Sequence, residues 1–253
     1  MTRTDGRSFD ALRPVAIELG VQKRPEGSLI YRSGETTVLV AASVDERTPD
    51  WRQPGLGWLT AEYAMHPRAN PSRRRREGRR GGGIDGRSAE IQRLIGRSLR
   101  AMIDFTKLGD RTITVDCDVL DADGGTRTAS ICGGTVAVAL ALGSLQRQGL
   151  VRSGVLRAPL QAISVGLVSG RPLLDLCYVE DRDAEVDLNV VGTADGRVVE
   201  VQGTAEEAPV ARADIDGMLD LALASFAHIA DVQKAALADA GVDVKRLTTA
   251  AHP

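Results

Sequence analysis

The 253-residue chain has few lysines, few cysteines and few aromatic residues. Only four of its 32 basic residues are lysines. The three cysteines, Cys117, Cys132 and Cys177, lie far apart and outside any C-x-x-C pair. This spacing argues against a disulfide framework or a zinc site and predicts reduced core residues. Aromatic residues make up 3% of the chain, so we expect base stacking to contribute little to any nucleic-acid binding.

Long apolar segments are also missing. The N-terminal stretch MTRTDGRSFDALRP has no apolar region of the kind found in signal peptides. The longest apolar run, at 136–142, is far shorter than the ~20 residues that span a bilayer. With 43% hydrophobic and 26% charged residues, the composition is typical of a soluble globular protein. We therefore expect a cytoplasmic protein that does not associate with membranes.

Charge is concentrated in one part of the chain. The net charge is −2, yet residues 68–100 contain 11 arginines against three acidic residues, a surplus of +8. Six arginines fall within eight positions, namely Arg73, Arg74, Arg75, Arg76, Arg79 and Arg80. Because glycines surround them, this segment is predicted to be a loop that buries nothing. A planar guanidinium suits phosphate recognition, although a high-GC genome produces the same bias towards arginine.

The hydrophobic periodicity predicts strands followed by helices in each half of the chain. Strands are predicted at 14–20, 28–34, 36–44, 59–65 and 112–120, and hairpins at 162–203. Helices are predicted from Ser88, from 131 (apolar nearly all round and so central) and over 213–240, and the residues from 244 are predicted to form a frayed tail. This order indicates an α+β fold with mixed sheets backed by helices.

Two loops that lead into predicted helices carry the residues expected at anion sites. The segment Gly124-Gly125-Thr126-Arg127-Thr128 combines backbone amides at a helix start with a hydroxyl and a guanidinium. No lysine follows the glycines, which argues against a Walker A loop. The alternative is a tight turn with a helix cap. Arg87, at the start of the preceding helix, is a weaker candidate of the same kind.

Two further groups of charged residues can each be interpreted either as solvated surface or as functional residues. Arg93 and Arg97 share a helix face, which is either a solvated surface or the continuation of a basic track. The segment YVEDRDAEVDLNV at 178–190 is either a solvated loop or a source of convergent carboxylates. Asp181 and Asp187, the second within an apolar strand pattern, can hold Mg²⁺ together with phosphate and water. A carboxyl group with a raised pKa can also donate a proton.

Five stretches together resemble the ribonuclease PH family, which trims precursor tRNA by phosphorolysis. They are GLGWLTAEYAM, GRSAEIQRLIGRSLRAMID, DCDVLDADGGTRTAS, VEDRDAEVDLNVV and VEVQGT, in the family's order, and the resemblance covers roughly residues 5–235. The chain departs from the family at Asp121, where many members carry Gln, and at Val179, where Glu is common.

The resemblance implies a fold of two βαβα-type halves, related to the second domain of ribosomal protein S5, and a homohexamer built as a trimer of dimers. It places a phosphate-binding half at 10–145, a second half at 155–228, and the helix end and tail at 229–253. Arg87, Gly125, Thr126 and Arg127 would then bind inorganic phosphate, the co-substrate.

The same resemblance makes Asp181 and Asp187 the catalytic residues and Mg²⁺ ligands. It also implies that eight arginines contact RNA, namely precursor tRNA 3′ ends or rRNA. They are Arg73–Arg76, Arg79, Arg80, Arg93 and Arg97. The implied enzyme is a tRNA nucleotidyltransferase, a 3′-to-5′ exoribonuclease that releases nucleoside 5′-diphosphates and runs in reverse.

Two alternatives use the same features differently. A non-catalytic RNA-binding ring subunit is expected to lack Arg127, Asp181 or Asp187, and all three are present. A hydrolytic metal nuclease would release nucleoside monophosphates without added phosphate. Polynucleotide phosphorylase resembles two copies of this unit with added RNA-binding modules, and the chain is too short for it.

Overall fold

The computed structural model describes residues 3–76, 83–205 and 208–248, which contain two β-sheets and six helices. The strands of the first sheet are β1 (Val15–Leu19), β2 (Gly27–Ser33), β3 (Thr36–Asp45), β4 (Trp58–Met65) and β5 (Thr112–Asp121), in the order β1-β2-β3-β5-β4. Adjacent strands are antiparallel except β4 and β5, which are parallel. Between these two strands the chain forms α1 (Gly86–Ala101) and α2 (Phe105–Leu108).

The second sheet is antiparallel throughout, in the order β7-β6-β8-β9. Its strands are β6 (Gln161–Val168), β7 (Arg171–Leu174), β8 (Val186–Gly192) and β9 (Val198–Ala205). The predicted α+β class is confirmed, and mixed strand directions are confined to the first sheet.

The central helix is α3 (Thr126–Arg147), which contacts β2, β3 and β5 of the first sheet and β6 of the second. Almost every side chain along it is buried, as expected for a helix that is apolar nearly all round. By length and composition α3 could cross a membrane, but 89% of its apolar stretch is buried inside the protein. Its N-terminus therefore lies at a fixed place between the two sheets.

A long helix, α5 (Arg212–Asp239), covers the second sheet and also contacts β1 of the first. Its Phe226 is fully buried. Because buried residues of both sheets, α1, α3 and α5 belong to one hydrophobic cluster, the two halves share a core. All three cysteines are free and buried, as predicted.

The starts of two helices and the structure of the acidic run differ from the sequence prediction. Helix α3 begins at Thr126 rather than at residue 131. Helix α1 begins at Gly86 rather than Ser88 and has Asp85 at its N-cap, so Arg87 lies in its first turn. The acidic run was expected to be loop and strand, but its first part forms α4 (Tyr178–Arg182). This short helix is stabilised by a reciprocal capping box between Cys177 and Glu180.

The prediction of a frayed tail from residue 244 is wrong as far as residue 248. Val244–Leu247 forms the short helix α6, whose N-cap Asp243 accepts a hydrogen bond from the backbone N–H of Arg246. Leu247 is fully buried, and its carbonyl accepts a hydrogen bond from Leu156 N at 2.9 Å. A single buried leucine anchors this segment. The sequence prediction missed the helix because four residues are too few to show a hydrophobic periodicity. Residues 249–253 lie outside the described ranges.

We expect Leu247→Ala to lower the free energy of unfolding by about 2–5 kcal/mol, because it removes a fully buried side chain from the core. The matched control is Leu150→Ala, the same substitution at a side chain that is 39% exposed, with an expected change within about 0.5 kcal/mol. Urea unfolding of both variants measures the difference. Equal losses would show that α6 does not anchor the C-terminal segment.

Candidate active site

A cavity of about 970 Å³ lies between the two halves and collects all six predicted phosphate-binding and catalytic residues together with one predicted RNA-contacting arginine. Those that line it are Arg74, Arg87, Gly125, Thr126, Arg127, Asp181 and Asp187. They come from α1, α3, α4, β8 and the segment before α1, which are far apart in sequence. The cavity therefore has cationic groups from the first half facing carboxylates from the second.

The loop before α3 is shaped by two glycines with left-handed backbone. Gly124 and Gly125 have φ values of 75° and 64°, and Gly125 is the N-cap of α3. A Cβ at position 124 would collide with the carbonyl oxygen of Leu176, so a larger residue cannot take this place. The loop consequently delivers Thr126 and Arg127 in the first turn of a 22-residue helix, where backbone amides have no partner within the helix.

Two side chains outside the loop hold it in place. The Thr36 hydroxyl donates to the carbonyl of Gly124 at 2.7 Å and accepts from the N–H of Asp123 at 2.9 Å. The guanidinium of Arg13 donates to the carbonyl of Asp123 and, at 3.5 Å, to that of Gly124. These bonds hold the carbonyls of Asp123 and Gly124 in fixed positions.

Arg127 is oriented by an amide and a carboxylate that the sequence analysis did not single out. Its Nη1 donates to Gln202 Oε1 at 3.0 Å, and it lies 3.5 Å from Glu90 Oε1. Gln202 Nε2 in turn donates to the same Glu90 oxygen at 2.7 Å. The chain of contacts joins α3, β9 and α1. Gln202 lay in a quoted motif, but no local pattern linked it to Arg127.

Thr126 and Arg87 complete the cationic side of the cavity. The Thr126 hydroxyl lies 2.9 Å from the phenol oxygen of Tyr63, which is buried. Arg87 is exposed at the start of α1. The positive charges of Arg127 and Arg87 both act on the Asp187 carboxyl and favour its ionised form. Both arginines line the same cavity and so face one shared space.

The acidic side is formed by α4 and β8. Asp187 is half-buried in β8, and both of its carboxylate oxygens accept from Asn189 Nδ2, at 3.3 and 3.2 Å. Burial, followed by the negative charge of Asp181, raises the pKa of Asp187 against the opposing effect of the two arginines. A carboxyl group with a raised pKa in a cavity that also holds arginines is suited to proton donation.

The two carboxylates in the cavity fit a Mg²⁺ ion that takes few of its ligands from the protein. Asp181 and Asp187 line the same cavity and lie close enough for the charge of one to raise the pKa of the other. Within the described ranges, no group of three or more His, Cys, Asp and Glu side chains is arranged to hold a metal. Two carboxylates suit Mg²⁺, which takes its remaining ligands from phosphate oxygens and water.

The predicted RNA-contacting arginines are only partly gathered at the cavity. Arg74 lines it, whereas Arg73, Arg75, Arg76 and Arg93 are exposed outside its lining. Arg79 and Arg80 lie outside the described residues. Arg97 is exposed but forms a two-bond ion pair with Glu200 of β9, at 2.8 and 2.5 Å. The RNA contacts of all these residues stay predictions, and Arg97 would have to exchange a partner to make one.

Two family models match the chain. The 3′ exoribonuclease family, domain 1, matches residues 11–142, and domain 2 of the same family matches residues 158–225. Ribonuclease PH from Bacillus subtilis (strain 168) is 49% identical over 245 residues, which cover 96% of this chain and 100% of the relative. The matched ranges include Arg87, Arg127, Asp181 and Asp187.

Solved structures with a similar fold include rice Rrp46 and chains of archaeal exosomes. Rice Rrp46 has a TM-score of 0.76 at 20% identity, covering 93% of this chain and 100% of that one. A chain of the Archaeoglobus fulgidus exosome with RNA bound to the active site has a TM-score of 0.74 at 24% identity, covering 91% and 92%. At these identities the likeness concerns the fold alone.

The raised pKa of Asp187 predicts the sign of a stability effect. Folded Asp187 keeps its proton to higher pH than the unfolded value of 3.8, so its contribution to stability falls as the pH rises through the window above 3.8. Asn cannot ionise, and we therefore expect Asp187→Asn to gain stability relative to the parent protein as the pH rises from 4 towards neutrality. Thermal unfolding across this range measures the difference.

Asp195→Asn is the control of opposite sign. Hydrogen bonds from Thr193 and Arg197 lower the pKa of Asp195, so its contribution is present above 3.8 and lost as the pH falls. That variant should lose stability relative to the parent at neutral pH and match it in acid. If the two variants shift in the same direction with pH, burial does not govern the titration of Asp187.

Proposed function

The chain belongs to the 3′ exoribonuclease family, and we propose that its cavity is where inorganic phosphate attacks the last phosphodiester of an RNA. The protein is a phosphorolytic 3′-to-5′ exoribonuclease of the tRNA nucleotidyltransferase type, as its 49% identity to a ribonuclease PH over nearly the full chain supports. The observation that carries the site assignment is the convergence of Arg87, Arg127, Asp181 and Asp187 on one cavity.

In this proposal Arg87, Gly125, Thr126 and Arg127 bind orthophosphate. An oxygen of that ion forms a bond to the terminal phosphorus, and the bond from phosphorus to the 3′-oxygen of the preceding nucleotide breaks. The products are a nucleoside 5′-diphosphate and an RNA one nucleotide shorter with a free 3′-hydroxyl. Because one phosphate bond replaces another, the reaction also runs in reverse.

The arginines and the start of α3 reduce the repulsion between the two anions and hold the attacking oxygen in line. The departing 3′-oxygen needs a proton, and Asp187 is the carboxyl group whose raised pKa suits it to supply one. When bound by Asp181 and Asp187, Mg²⁺ would neutralise charge on the scissile phosphate.

RNA reaches the cavity along exposed arginines. Arg74 at the rim and its neighbours Arg73, Arg75 and Arg76 are placed to attract the phosphates of a 3′ extension. With this sequence-independent attraction and few aromatic residues, precursor tRNA and rRNA ends are suitable substrates. We further propose, from the family resemblance, a cytoplasmic homohexamer built as a trimer of dimers that does not associate with membranes.

A non-catalytic RNA-binding ring subunit is the alternative function. It needs a basic surface but no preserved catalytic groups. This chain keeps Arg127 clamped by Gln202 and Glu90, and it keeps Asp187 in a half-buried position with a raised pKa. Burial of a carboxyl group such as Asp187 costs free energy, and a non-catalytic subunit has no need of it. The enzyme is therefore the better proposal.

The decisive experiment incubates the protein with a tRNA bearing extra 3′ nucleotides, Mg²⁺ and either phosphate or sulfate. We expect nucleoside diphosphates only with phosphate, identified by thin-layer chromatography. Asp187→Asn, which removes the proposed proton donor, should lower the rate about 10²- to 10⁴-fold. Nucleoside monophosphates in both mixtures would indicate hydrolysis, and no product would favour the non-catalytic alternative.

The arginine segment has its own test. Replacing Arg73–Arg76, Arg79 and Arg80 by Ser should make the slope of log K against log salt less negative by about 4, at ~0.7 for each single-strand phosphate contact. Filter binding of a 3′-extended RNA at several salt concentrations gives the slope.

The control for this test replaces three exposed arginines elsewhere, Arg24, Arg197 and Arg212, by Ser. Their loss should leave the slope unchanged, because they lie outside the proposed RNA track. A slope that is the same in the six-residue variant as in the parent protein would remove RNA binding as the role of the segment.

A further inference from the structure

Three arginines of the N-terminal segment converge on one buried aspartate behind the active site. The side chains of Arg3 and Arg13 are each 4% exposed, and that of Arg7 is 11% exposed. Arg3 and Arg7 donate to the carbonyl of Asp175, at 3.0 and 3.1 Å. Arg13 donates to the Asp175 carboxylate through its backbone N–H at 2.8 Å and its Nη2 at 2.6 Å. We name residues 3–13 the N-terminal brace.

One end of the brace holds the helix that carries Asp181. Arg3 forms a two-bond ion pair with Glu180, Nε to Oε1 at 2.8 Å and Nη2 to Oε2 at 2.7 Å. The same Glu180 side chain accepts from the backbone N–H of Cys177 at 3.1 Å and closes the capping box of α4. Since Asp181 is the next residue in this five-residue helix, Arg3 is linked through Glu180 to the backbone that carries Asp181.

The other end of the brace holds the phosphate loop. Arg13 donates to the carbonyls of Asp123 and Gly124, and a Cβ at Gly125 would lie 3.0 Å from its Nη2. The carboxylate of Asp123 accepts from the N–H of Tyr178, the first residue of α4, at 3.1 Å. The loop and the catalytic helix are thus both attached to the brace and to each other.

Stability alone is a poor explanation for this arrangement. Buried ion pairs often contribute no more than well-packed apolar residues of the same volume, because each charge loses its hydration. Asp175 also has φ 56°, a left-handed conformation that is uncommon for a residue with a side chain. A strained residue that receives three arginines is better explained by a need for exact placement of what it joins.

We propose that Arg3 and Arg13 are positioning residues for phosphorolysis, and that the N-terminal brace sets the distance between the phosphate loop and the Asp181 helix. Neither residue lines the catalytic cavity; Arg3 faces a separate cavity of about 640 Å³. They therefore act through Glu180 and Asp175. The proposal rests on the proposed function, since it assumes that bound phosphate and the two aspartates react together.

Two variants should give opposite kinetic signatures. Arg3→Met with Glu180→Gln removes both charges but keeps the volume and an acceptor for Cys177 N. It should lower kcat about 10- to 100-fold, the loss expected for a displacement near 1 Å, while the KM for phosphate changes little. Arg13→Lys keeps a charge opposite Asp175 but cannot form the fork to both loop carbonyls, so it should mainly raise the KM for phosphate.

The control is Arg197→Met with Asp195→Asn, an equivalent ion pair on an exposed turn, which should leave both constants unchanged. Each rate is divided by the folded fraction of the variant, which thermal unfolding measures. If the Arg3/Glu180 variant does not fold, Arg3→Lys replaces it. One ammonium meets only one carboxylate oxygen well, so kcat should still fall, by less.

Rates per folded molecule within about twofold of the parent protein in the Arg3 and Arg13 variants would overturn the proposal. So would losses that follow only the folded fraction, or equal effects on kcat and KM in both variants. Failure of the proposed function looks different, because the unsubstituted protein would then make no nucleoside diphosphate from phosphate and RNA.

Discussion

Phosphorolysis requires that two anions meet, and the active site depends on how this repulsion is overcome. Two unit charges 4 Å apart repel by roughly 4 kcal/mol at an effective dielectric of 20. Arg87, Arg127 and the start of α3 oppose that repulsion from one side of the cavity. The carboxylates of Asp181 and Asp187 stand on the other side and would add to it if both were fully charged. In the proposed reaction the raised pKa of Asp187 reduces this cost, and its carboxyl group would supply a proton to the departing oxygen.

Such a balance of charges requires a fixed distance between the arginines and the carboxylates. Three connections between the two halves of the fold hold that distance. Helix α3 contacts both sheets, so the phosphate loop at its N-terminus cannot move independently of the second half. The contact of Gln202 with Arg127 and Glu90 joins β9 to the cationic side. The N-terminal brace adds a third connection behind the loop. The contact of Gln202 with Arg127 lies in the cavity itself, whereas Arg3 and Arg13 of the brace act from outside its lining.

The sequence predicted the parts of the site that have a local signature. A strand followed by Gly124-Gly125-Thr126-Arg127 indicated an anion-binding helix start, and the alternation around Asp187 indicated a strand. The family resemblance added the roles of these residues and of Arg87. What the sequence could not provide were the partners: Glu180 lies 177 positions from Arg3, and Asp175 lies 162 positions from Arg13. Helix α4 was missed for the same reason, since five residues carry no periodicity and its stability comes from those distant contacts.

The arginine surplus at 68–100 also looks different once the fold is known. Arg97 is paired with Glu200, and Arg100 is partly buried with its guanidinium 4.8 Å from the Trp58 ring centroid. Arg87 lines the cavity and is a proposed phosphate ligand. The arginines of this window therefore differ in role: some make contacts within the fold, one lines the cavity, and others are exposed to solvent. Arg73–Arg76 are exposed and Arg74 lines the cavity, so in the proposed function these residues would contribute a long-range attraction for RNA.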